Sequence, residues 1–523
     1  MKNVVVAAIV LASGAWAADR VKVEGGVLEG APGRLPGVRI FKGVPFAAPP
    51  VGDLRWKAPQ PAVAWTGVRK ADAFGDRCIQ TNPYPDQIWR DPAESEDCLY
   101  AAIWTAAKSA QEHRPVLVWF YGGGFMSGSG DEPRYDGEHL AAKGVVVVNV
   151  NYRLGLLGFF VHPELTKESD HNASGNYGLL DQTAALEWVK KNIAAFGGDP
   201  HNVTIGGESA GSFAVSAQMA SPLAKGLFSK ALGESGAFFP ASASGGLALV
   251  GLAEAEKHGK EFAADIGVDS LAGLRALSVA ELNEKSAKSK VRFGPIIDGY
   301  FLPTDAYTIF SEGKQAHVPL LAGWNRDEVK FAPMMAPEKP TAAGFPGQLK
   351  TQYGNKADAA LKVYPAGSDE EAIASAGDLA SDNFIAYSTW EWIELQAKTS
   401  GKPVYRFLFN QVAPYRPPSD MQPEIRGAAH ATEIEYVFDA LDLSQAKWTG
   451  ADHKVAELMS SYWANFIKKG DPNGPGLPKW PAYSAKSGRE VMNLEADSHA
   501  APEKHRDRYE FLDSVAAEAR AQK

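Results

Sequence analysis

Short apolar runs recur along the chain, and they predict its β-strands. The runs lie at residues 116–120, 145–150, 203–205, 318–322 and 404–409. Most of their positions are apolar, and glycine, proline or polar residues bound them. Because neighbouring residues of a strand face opposite sides of a sheet, a nearly uninterrupted apolar run predicts a strand that is buried on both faces.

Longer stretches with apolar residues at helical spacing lie between these runs. Residues 179–196 are apolar at every third or fourth position, and Gly197 ends the pattern. Residues 212–220 and 455–466 are also compatible with helices. Strands that alternate with helices predict an α/β fold, with a large, mainly parallel central sheet and helices on both faces.

The first residues of the chain have a different pattern, typical of a secretory signal. Lys2 precedes a short apolar stretch, which ends in small residues at Ala17. The stretch falls short of the ~20 apolar residues that span a bilayer, so a membrane anchor is the weaker alternative. We therefore expect residues 1–17 to be a signal peptide, residues 18–523 to form one domain, and the mature chain to be exported without a stable membrane anchor.

The overall charge disfavours two classes of partner. The 523 residues include 62 Asp and Glu against 53 Lys and Arg, a formal net charge of −9, and no run of Lys and Arg is longer than two. A surface that binds phosphate backbones or anionic lipid usually carries clustered positive charge. We therefore do not expect a nucleic-acid partner.

The two cysteines of the chain are Cys78 and Cys98. An exported protein meets an oxidising environment, which favours a disulfide between them, and two unpaired buried thiols are the alternative. A disulfide across this loop would stabilise the fold by roughly 3 kcal/mol through chain entropy. Two cysteines cannot form a closed zinc site by themselves, and we expect no metal.

A candidate nucleophile lies between the strand at 203–205 and the helix at 212–220. Residues 207–211 read Gly-Glu-Ser-Ala-Gly, with Ser209 at the centre. A serine displayed on a sharp turn leaves no room for side chains at the flanking positions, which explains the glycines. The helix that follows directs its N-terminal N–H groups towards the serine.

A second glycine-rich turn follows the strand at 116–120. Gly122, Gly123 and Gly124 let backbone N–H groups approach a substrate oxygen closely. A phosphate-binding loop is the alternative, but no Gly-Lys-Ser/Thr ending follows. We expect the N–H groups of Gly123, Gly124 and Ala210 to form an oxyanion hole.

Longer blocks of sequence resemble the type-B carboxylesterases, the cholinesterase-like branch of the α/β-hydrolases. The matching blocks are residues 41–56, 95–100, 151–155, 175–182 and 196–211, and the agreement runs from about residue 20 to past residue 500. Such long blocks are far more specific than the pentapeptide around the serine. The resemblance implies the α/β-hydrolase fold and hydrolysis of a small-molecule carboxylic ester, without a metal or organic cofactor.

The resemblance also implies the partners of the serine. The acid of the family falls on Glu328 and its base on His430, so that the chain order is Ser, Glu, His, as this fold requires. Asp327 is the alternative acid. In this arrangement His430 takes the hydroxyl proton of Ser209, and Glu328 orients the imidazole and stabilises its positive charge.

Other matches to the family are less specific. Glu208 and Ser235 match polar residues beside the nucleophile, and Trp89 and Phe331 match aromatic positions that line the substrate pocket; plain packing is the alternative for all four. Cys78 and Cys98 match the first disulfide of the family. Arg55 with Glu96, and Arg153 with Asp181, match its structural ion pairs.

Three departures from the family pattern concern the shape of the pocket. Tyr121 precedes the three glycines in place of the commoner His, Val329 follows the acid in place of Gly, and Gly206 replaces a usual Phe. The loop between the cysteines is also shorter than in cholinesterases, so a preference for choline esters does not follow.

These observations predict an exported serine hydrolase, periplasmic or secreted, that cleaves carboxylic esters through an acyl-enzyme. A non-catalytic binding or adhesion protein on the same fold is one alternative, because a fold does not fix a function. A lipase or peptidase specificity is another. The natural ester, the oligomeric state and the choice between the two exported compartments are left open.

Overall fold

The computed structural model describes residues 20–241, 248–414 and 427–522. The strands are β1 (Arg20–Val23), β2 (Gly26–Glu29), β3 (Ala31–Pro32), β4 (Arg39–Pro45), β5 (Val68–Lys70), β6 (Arg77–Cys78), β7 (Glu94–Ser95), β8 (Tyr100–Thr105), β9 (Arg114–Phe120), β10 (Val146–Val150), β11 (Gly198–Glu208), β12 (Lys230–Glu234), β13 (Leu320–Asn325), β14 (Val404–Phe409), β15 (Glu490–Leu494) and β16 (His499–Pro502). The predicted signal peptide lies outside the described residues.

Helices connect and cover these strands. They are α1 (Glu138–Ala142), α2 (Gly155–Phe159), α3 (Pro163–Glu168), α4 (Tyr177–Asn192), α5 (Ala210–Ala220), α6 (Leu252–Asp265), α7 (Leu271–Ala276), α8 (Val279–Ser286), α9 (Ala306–Ser311), α10 (Ala332–Met335), α11 (Phe345–Tyr353), α12 (Ala357–Val363), α13 (Asp369–Ser381), α14 (Tyr387–Thr399), α15 (Ile434–Val437), α16 (Gly450–Lys469) and α17 (Arg506–Ala521). A π-helical turn, Asp382–Ala386, joins α13 to α14.

Within the described residues, eleven of the strands form one large sheet. Its order is β16-β15-β14-β13-β12-β11-β9-β10-β8-β4-β3. The seven strands from β15 to β10 in this order pair in parallel, and the strands outside them pair antiparallel. Helices α4, α5 and α16 all contact β11. The prediction of a mainly parallel sheet is confirmed.

The central strands are buried on both faces, as their apolar runs predict. Every residue of β10 and β13 is buried, and so is β9 from Val116 onward. β14 has the predicted bounds, whereas β11 begins five residues before the predicted residue 203. The additional part of β11 is polar, and its pairing with β9 is interrupted between Gly198 and Val203, so the apolar pattern marks only the buried half.

The loop between the cysteines is closed covalently, and an ion pair anchors it to the rest of the fold. Cys78 and Cys98 form a disulfide, which confirms the predicted pairing. The Arg55 guanidinium donates two hydrogen bonds of 2.7 Å to the two carboxylate oxygens of Glu96, inside this loop. A bidentate pair of this kind fixes direction as well as distance, so the loop has a defined position.

The second predicted ion pair lies under the loop that follows β10. Arg153 donates to both carboxylate oxygens of Asp181 on α4, at 2.8 and 2.7 Å, and both side chains are buried.

None of the helices in the described part of the chain combines the length and the apolar character needed to cross a bilayer.

Candidate active site

Ser209 lies in a tight turn between the end of β11 and the start of α5. Its backbone angles are φ 52° and ψ −122°, a sparsely populated region that costs on the order of 1–3 kcal/mol. A Cβ atom on Gly211 would lie 1.9 Å from the carbonyl oxygen of Phe120, and one on Gly207 would lie 2.5 Å from the carbonyl carbon of Gly211. The glycines of the motif are therefore required by close backbone packing.

The turn is also held from the neighbouring strand. The backbone N–H of Ser209 donates to the carbonyl oxygen of Glu234, the last residue of β12, at 2.9 Å. The buried Glu234 carboxylate in turn accepts a hydrogen bond from the indole N–H of Trp463 on α16, at 2.7 Å. These contacts fix the strained turn to the sheet and to a covering helix.

Three side chains form a continuous line of polar contacts at this turn. The Nε2 atom of His430 lies 2.9 Å from the Oγ atom of Ser209, and its Nδ1 atom lies 2.6 Å from the Oε2 atom of Glu328. The backbone N–H of His430 also donates to the carbonyl oxygen of Glu328, at 3.0 Å. Residues that are more than a hundred positions apart in the sequence thus meet within hydrogen-bond distance.

The Glu328 carboxylate is fixed from the side opposite His430. Its Oε1 atom accepts a hydrogen bond of 2.6 Å from the Ser235 hydroxyl and one of 2.8 Å from the backbone N–H of Asn325. Ser235 is completely buried and does not line the cavity described below. Ser235 therefore contacts Glu328 from behind and does not face the cavity.

The neighbouring carboxylate, Asp327, faces other partners. Its side chain pairs with the Arg326 guanidinium at 2.6 Å and accepts a hydrogen bond from the backbone N–H of Ala428 at 3.0 Å. The Asp327 backbone N–H donates to the Ala428 carbonyl oxygen at 2.9 Å. Asp327 thus joins the loop after β13 to the loop that carries His430, and its carboxylate has no contact with the imidazole.

The three N–H groups expected to form an oxyanion hole are unused in the described part of the structure. Gly123 and Gly124 follow β9 with φ values of 104° and 63°, and Ala210 is the first residue of α5. None of their N–H groups donates to another described residue. The N–H group of Ala210 is the first of its helix and therefore has no partner within the helix. Because none of the three N–H groups has a partner among the described residues, all three can bind an external oxygen.

Tyr121, one of the departures from the family, lies beneath this turn. Its hydroxyl donates to the carbonyl oxygen of Tyr152 at 3.1 Å, and the two rings stack with centroids 4.4 Å apart. The side chain is completely buried. The replacement of His therefore changes the packing under the glycines, while the cavity itself is lined by other residues.

Glu208 adds a second carboxylate beside the imidazole. Its Oε1 atom lies 3.3 Å from the Nε2 atom of His430. Burial raises the pKa of Glu208 to about 8. Burial lowers the pKa of His430, but Glu208 and Glu328 raise it by more, so its pKa lies above the ordinary value. The two shifts are linked, because a protonated Glu208 no longer attracts a positive imidazolium.

A cavity of about 820 Å³ opens over Ser209 and His430. Glu208 and Phe331 line it, as their family positions suggest. Trp89 is not among the described residues that line this cavity. Its ring lies instead under the Arg77 guanidinium, 4.5 Å from the ring centroid, so packing explains its position.

Two further side chains near the site, Glu433 and Arg134, are not predicted from the sequence. Glu433 is buried, lies three residues after His430 directly before α15, and accepts a hydrogen bond from the Asn325 side-chain amide. Burial and the nearby Glu328 raise the pKa of Glu433 to about 7. Its spacing of three residues from His430 is the signal that could have indicated it. Arg134, which lines the cavity, follows no recognisable pattern.

The described residues contain no candidate metal site. No group of three or more His, Cys, Asp or Glu side chains in these segments is arranged to hold an ion. The expectation that the chain needs no metal stays a prediction.

Comparison with known proteins points to one family. The model of the carboxylesterase family matches residues 17–512. Fumonisin B1 esterase of Sphingopyxis macrogoltabida is 39% identical over 494 residues, which cover 90% of this chain and 85% of that protein. Para-nitrobenzyl esterase of Bacillus subtilis is 34% identical over 475 residues, which cover 88% of this chain and 92% of that protein.

Solved structures agree with the sequence comparison. A PNB esterase structure superposes with a TM-score of 0.77 and 31% identity, covering 95% of this chain and 100% of that one. The predicted resemblance and the α/β-hydrolase fold are both confirmed. The chain belongs to the carboxylesterase family and is a carboxylic ester hydrolase.

Proposed function

We propose that the chain is an exported serine esterase in which Ser209 is the nucleophile, His430 the general base and Glu328 the acid. The observation that carries this proposal is the line of contacts from Ser209 Oγ through the imidazole to Glu328, at 2.9 and 2.6 Å, next to the 820 Å³ cavity. A nucleophile, a base and an orienting acid within hydrogen-bond reach are what acyl transfer requires.

In the acylation step the Ser209 oxygen attacks the carbonyl carbon of the ester. His430 Nε2 takes the hydroxyl proton, and the carbonyl oxygen becomes an oxyanion that the N–H groups of Gly123, Gly124 and Ala210 bind. The tetrahedral intermediate then collapses, and the bond to the alcohol oxygen breaks. The alcohol leaves with the proton from His430, and Ser209 is left acylated.

Deacylation repeats these steps with water as the nucleophile. His430 takes a proton from the water, whose oxygen attacks the acyl carbon, and the same N–H groups bind the second oxyanion. Collapse of this intermediate breaks the bond to Ser209, which regains its proton from His430. Glu328 keeps a hydrogen bond to Nδ1 throughout and stabilises the imidazolium in both steps.

Export is the second part of the proposal. It is supported by the signal-like pattern of residues 1–17 and by the disulfide, which suits an oxidising compartment. Sequencing the N-terminus of the protein from the periplasm and from the medium tests it. Export predicts a chain that begins near residue 18, and an intact N-terminus in the cytoplasm would contradict it.

The catalytic proposal is tested with Ser209→Ala and a simple aryl ester. The variant should lose turnover by a factor on the order of 10⁴ or more, because no other group is placed to form the acyl-enzyme. Circular dichroism and thermal unfolding control for folding. A wild-type protein that binds esters but does not turn them over would favour the non-catalytic alternative, and near-normal turnover by the folded Ala variant would overturn the assignment of Ser209.

A further inference from the structure

One side of the cavity is formed by four phenylalanine rings in mutual contact, here called the aromatic wall: Phe125, Phe159, Phe213 and Phe238. The ring centroid of Phe125 lies 5.5 Å from that of Phe159 and 6.0 Å from that of Phe238, and the centroid of Phe213 lies 5.1 Å from that of Phe238. Phe125 directly follows the glycine turn, and Phe213 lies on α5. The aromatic wall therefore begins beside the reacting serine.

The apolar surface continues away from the serine. Val161, Ala255 and Ile296 form a separate buried cluster, and all three line the cavity. Val161 comes two residues after Phe159, so the cluster extends the aromatic wall. A substrate chain lying along this side would meet apolar atoms from the ester outward, and burying each CH₂ group favours binding by about 0.8 kcal/mol.

Two basic side chains lie on the same side of the cavity. His258 follows Ala255 by one turn of α6, so the two share a helix face, and both line the cavity. Arg292 also lines the cavity and is exposed to solvent, which places it at the mouth. The apolar side therefore ends in an imidazole and a guanidinium.

The Arg292 guanidinium has no carboxylate partner in the described structure. Its Nη1 atom donates to the backbone oxygens of Ser289 and Val291, at 3.2 and 3.1 Å, and no described Asp or Glu lies within ion-pair distance. These contacts use one of its terminal nitrogens. The other terminal nitrogen, Nη2, and the Nε atom can donate to a bound ligand, and a guanidinium donates best to a planar anion such as a carboxylate.

The other charged side chains that line the cavity are already matched. Arg134 contacts Asp86 and Glu132, each at 2.9 Å. Glu208 and Glu328 both face His430. Among the charged residues that the described structure places on the cavity, Arg292 is thus the one without an opposite charge.

We propose that this side of the cavity binds esters whose apolar chain ends in a carboxylate, with the chain along the aromatic wall and the carboxylate at Arg292 and His258. The inference rests on the proposed function and names its substrate class. It also disfavours esters with a cationic end, because the unmatched charge at this mouth is positive.

Matched pairs of aryl esters test this proposal. The mono-4-nitrophenyl esters of adipic, suberic and sebacic acid carry a terminal carboxylate, and 4-nitrophenyl hexanoate, octanoate and decanoate are their neutral counterparts. Arg292→Gln should lower kcat/KM for at least one of the half-esters by roughly tenfold, mainly through KM, which is the loss of one charge-assisted hydrogen bond. The neutral esters should be unaffected, and His258→Gln should have a smaller effect of the same kind.

Lys290→Gln is the matched control. Lys290 is exposed, lies two residues from Arg292 and does not line the cavity, so its removal changes the local charge without changing the site. It should leave both classes of ester unchanged. A fall in half-ester hydrolysis equal to that of Arg292→Gln would show general electrostatic attraction and would overturn the proposed site.

The remaining outcomes separate this inference from the proposed function. If the wild-type protein hydrolyses neutral esters through Ser209 and Arg292→Gln affects neutral esters and half-esters equally, the inference is wrong and the proposed function stands. If the wild-type protein hydrolyses neither class, the proposed function itself fails. Alkyl butyrates with and without a terminal carboxylate on the alcohol repeat the comparison; a specific Arg292 effect there alone would support the site and assign it to the alcohol.

Discussion

The turn at Ser209 and the aromatic wall face the same cavity but are built differently. At the turn, Cβ atoms on Gly207 or Gly211 would lie within 2.5 Å of backbone atoms, so the backbone itself fills the space. At the aromatic wall, side chains fill the space, with phenylalanine centroids 5.1–6.0 Å apart. One region depends on the absence of side chains and the other on their packing.

This difference predicts that the two regions tolerate change differently. An added methyl group at the turn must displace backbone atoms, whereas a wall of side chains can repack when one of them changes. The chemistry therefore depends on positions with almost no freedom, and substrate preference depends on positions with much more. Changes at the turn should have the largest effects, and changes around the cavity should have smaller and more selective ones.

The largest effect on kcat is expected from a matched pair of variants at the two adjacent carboxylates, Glu328 and Asp327. Glu328→Gln should lower kcat by up to about 10⁴-fold, because an amide keeps a contact with the imidazole but does not stabilise its positive charge. Asp327→Asn should leave kcat of the folded protein nearly unchanged and lower stability by about 1–3 kcal/mol, since Asp327 binds Arg326 and Ala428. Kinetics and urea unfolding of both variants measure the two effects.

An inverted result would contradict this division of roles. A folded but inactive Asp327→Asn variant, together with an active Glu328→Gln variant, would show that the acid lies one residue earlier in the chain.

The sequence predicts the turn much better than the cavity, and the reason is physical. Gly207, Ser209 and Gly211 are local requirements of a single turn, so a pentapeptide between a strand and a helix indicates them. Glu328 and His430 are indicated only by resemblance, since no local pattern distinguishes them from Asp327 or from the other histidines.

The cavity has no such local signal. Arg134, Arg292 and His258 come from separate segments and meet only after folding, so their common position could not be read from spacing. Trp89 is the reverse case: its family position suggests the pocket, whereas in this chain its ring packs against Arg77. The burial of Ser235 is likewise a consequence of tertiary packing.

The second largest effect on kcat is expected from the glycine turn that follows β9. A Cβ atom on Gly123 would lie 2.0 Å from the carbonyl oxygen of Ser127. Gly123→Ala should therefore displace an oxyanion N–H group and lower kcat by about 10²–10³-fold. Gly37→Ala is a suitable control, because Gly37 also has a positive φ, of 81°, but a Cβ atom there would have nothing within 4 Å. Equal activity of the two variants would contradict the proposed oxyanion hole.

A smaller and more selective effect is expected from Glu208, the second carboxylate beside His430. His430 accepts a proton only when it is neutral, so activity falls as the pH falls through its pKa. Glu208 raises that pKa, so Glu208→Gln should move the acid limb of kcat/KM to lower pH, by roughly one unit. The substrate should be an ester without ionisable groups, so that its own titration does not contribute to the pH dependence of kcat/KM. An acid limb that stays in place or moves to higher pH would contradict the assigned interaction.

The smallest effect on chemistry is expected from the disulfide. Reduction of Cys78–Cys98 should lower the free energy of unfolding by roughly 3 kcal/mol, because the bond closes a loop of 20 residues in the unfolded chain. Activity below the unfolding transition should remain, since the loop contributes none of the three residues Ser209, Glu328 and His430. Thermal unfolding with and without reductant measures this effect, and equal stability in the two states would contradict it.

The most direct test of the central claim is to identify the residue that a fluorophosphonate ester labels. The reagent reacts with an activated serine and leaves a stable adduct, which peptide mass spectrometry locates. The account predicts one adduct per chain, on Ser209, formed slowly or not at all in Glu328→Gln and at the normal rate in Asp327→Asn. Labelling of another serine, or of Ser209 at equal rates in both variants, would contradict it.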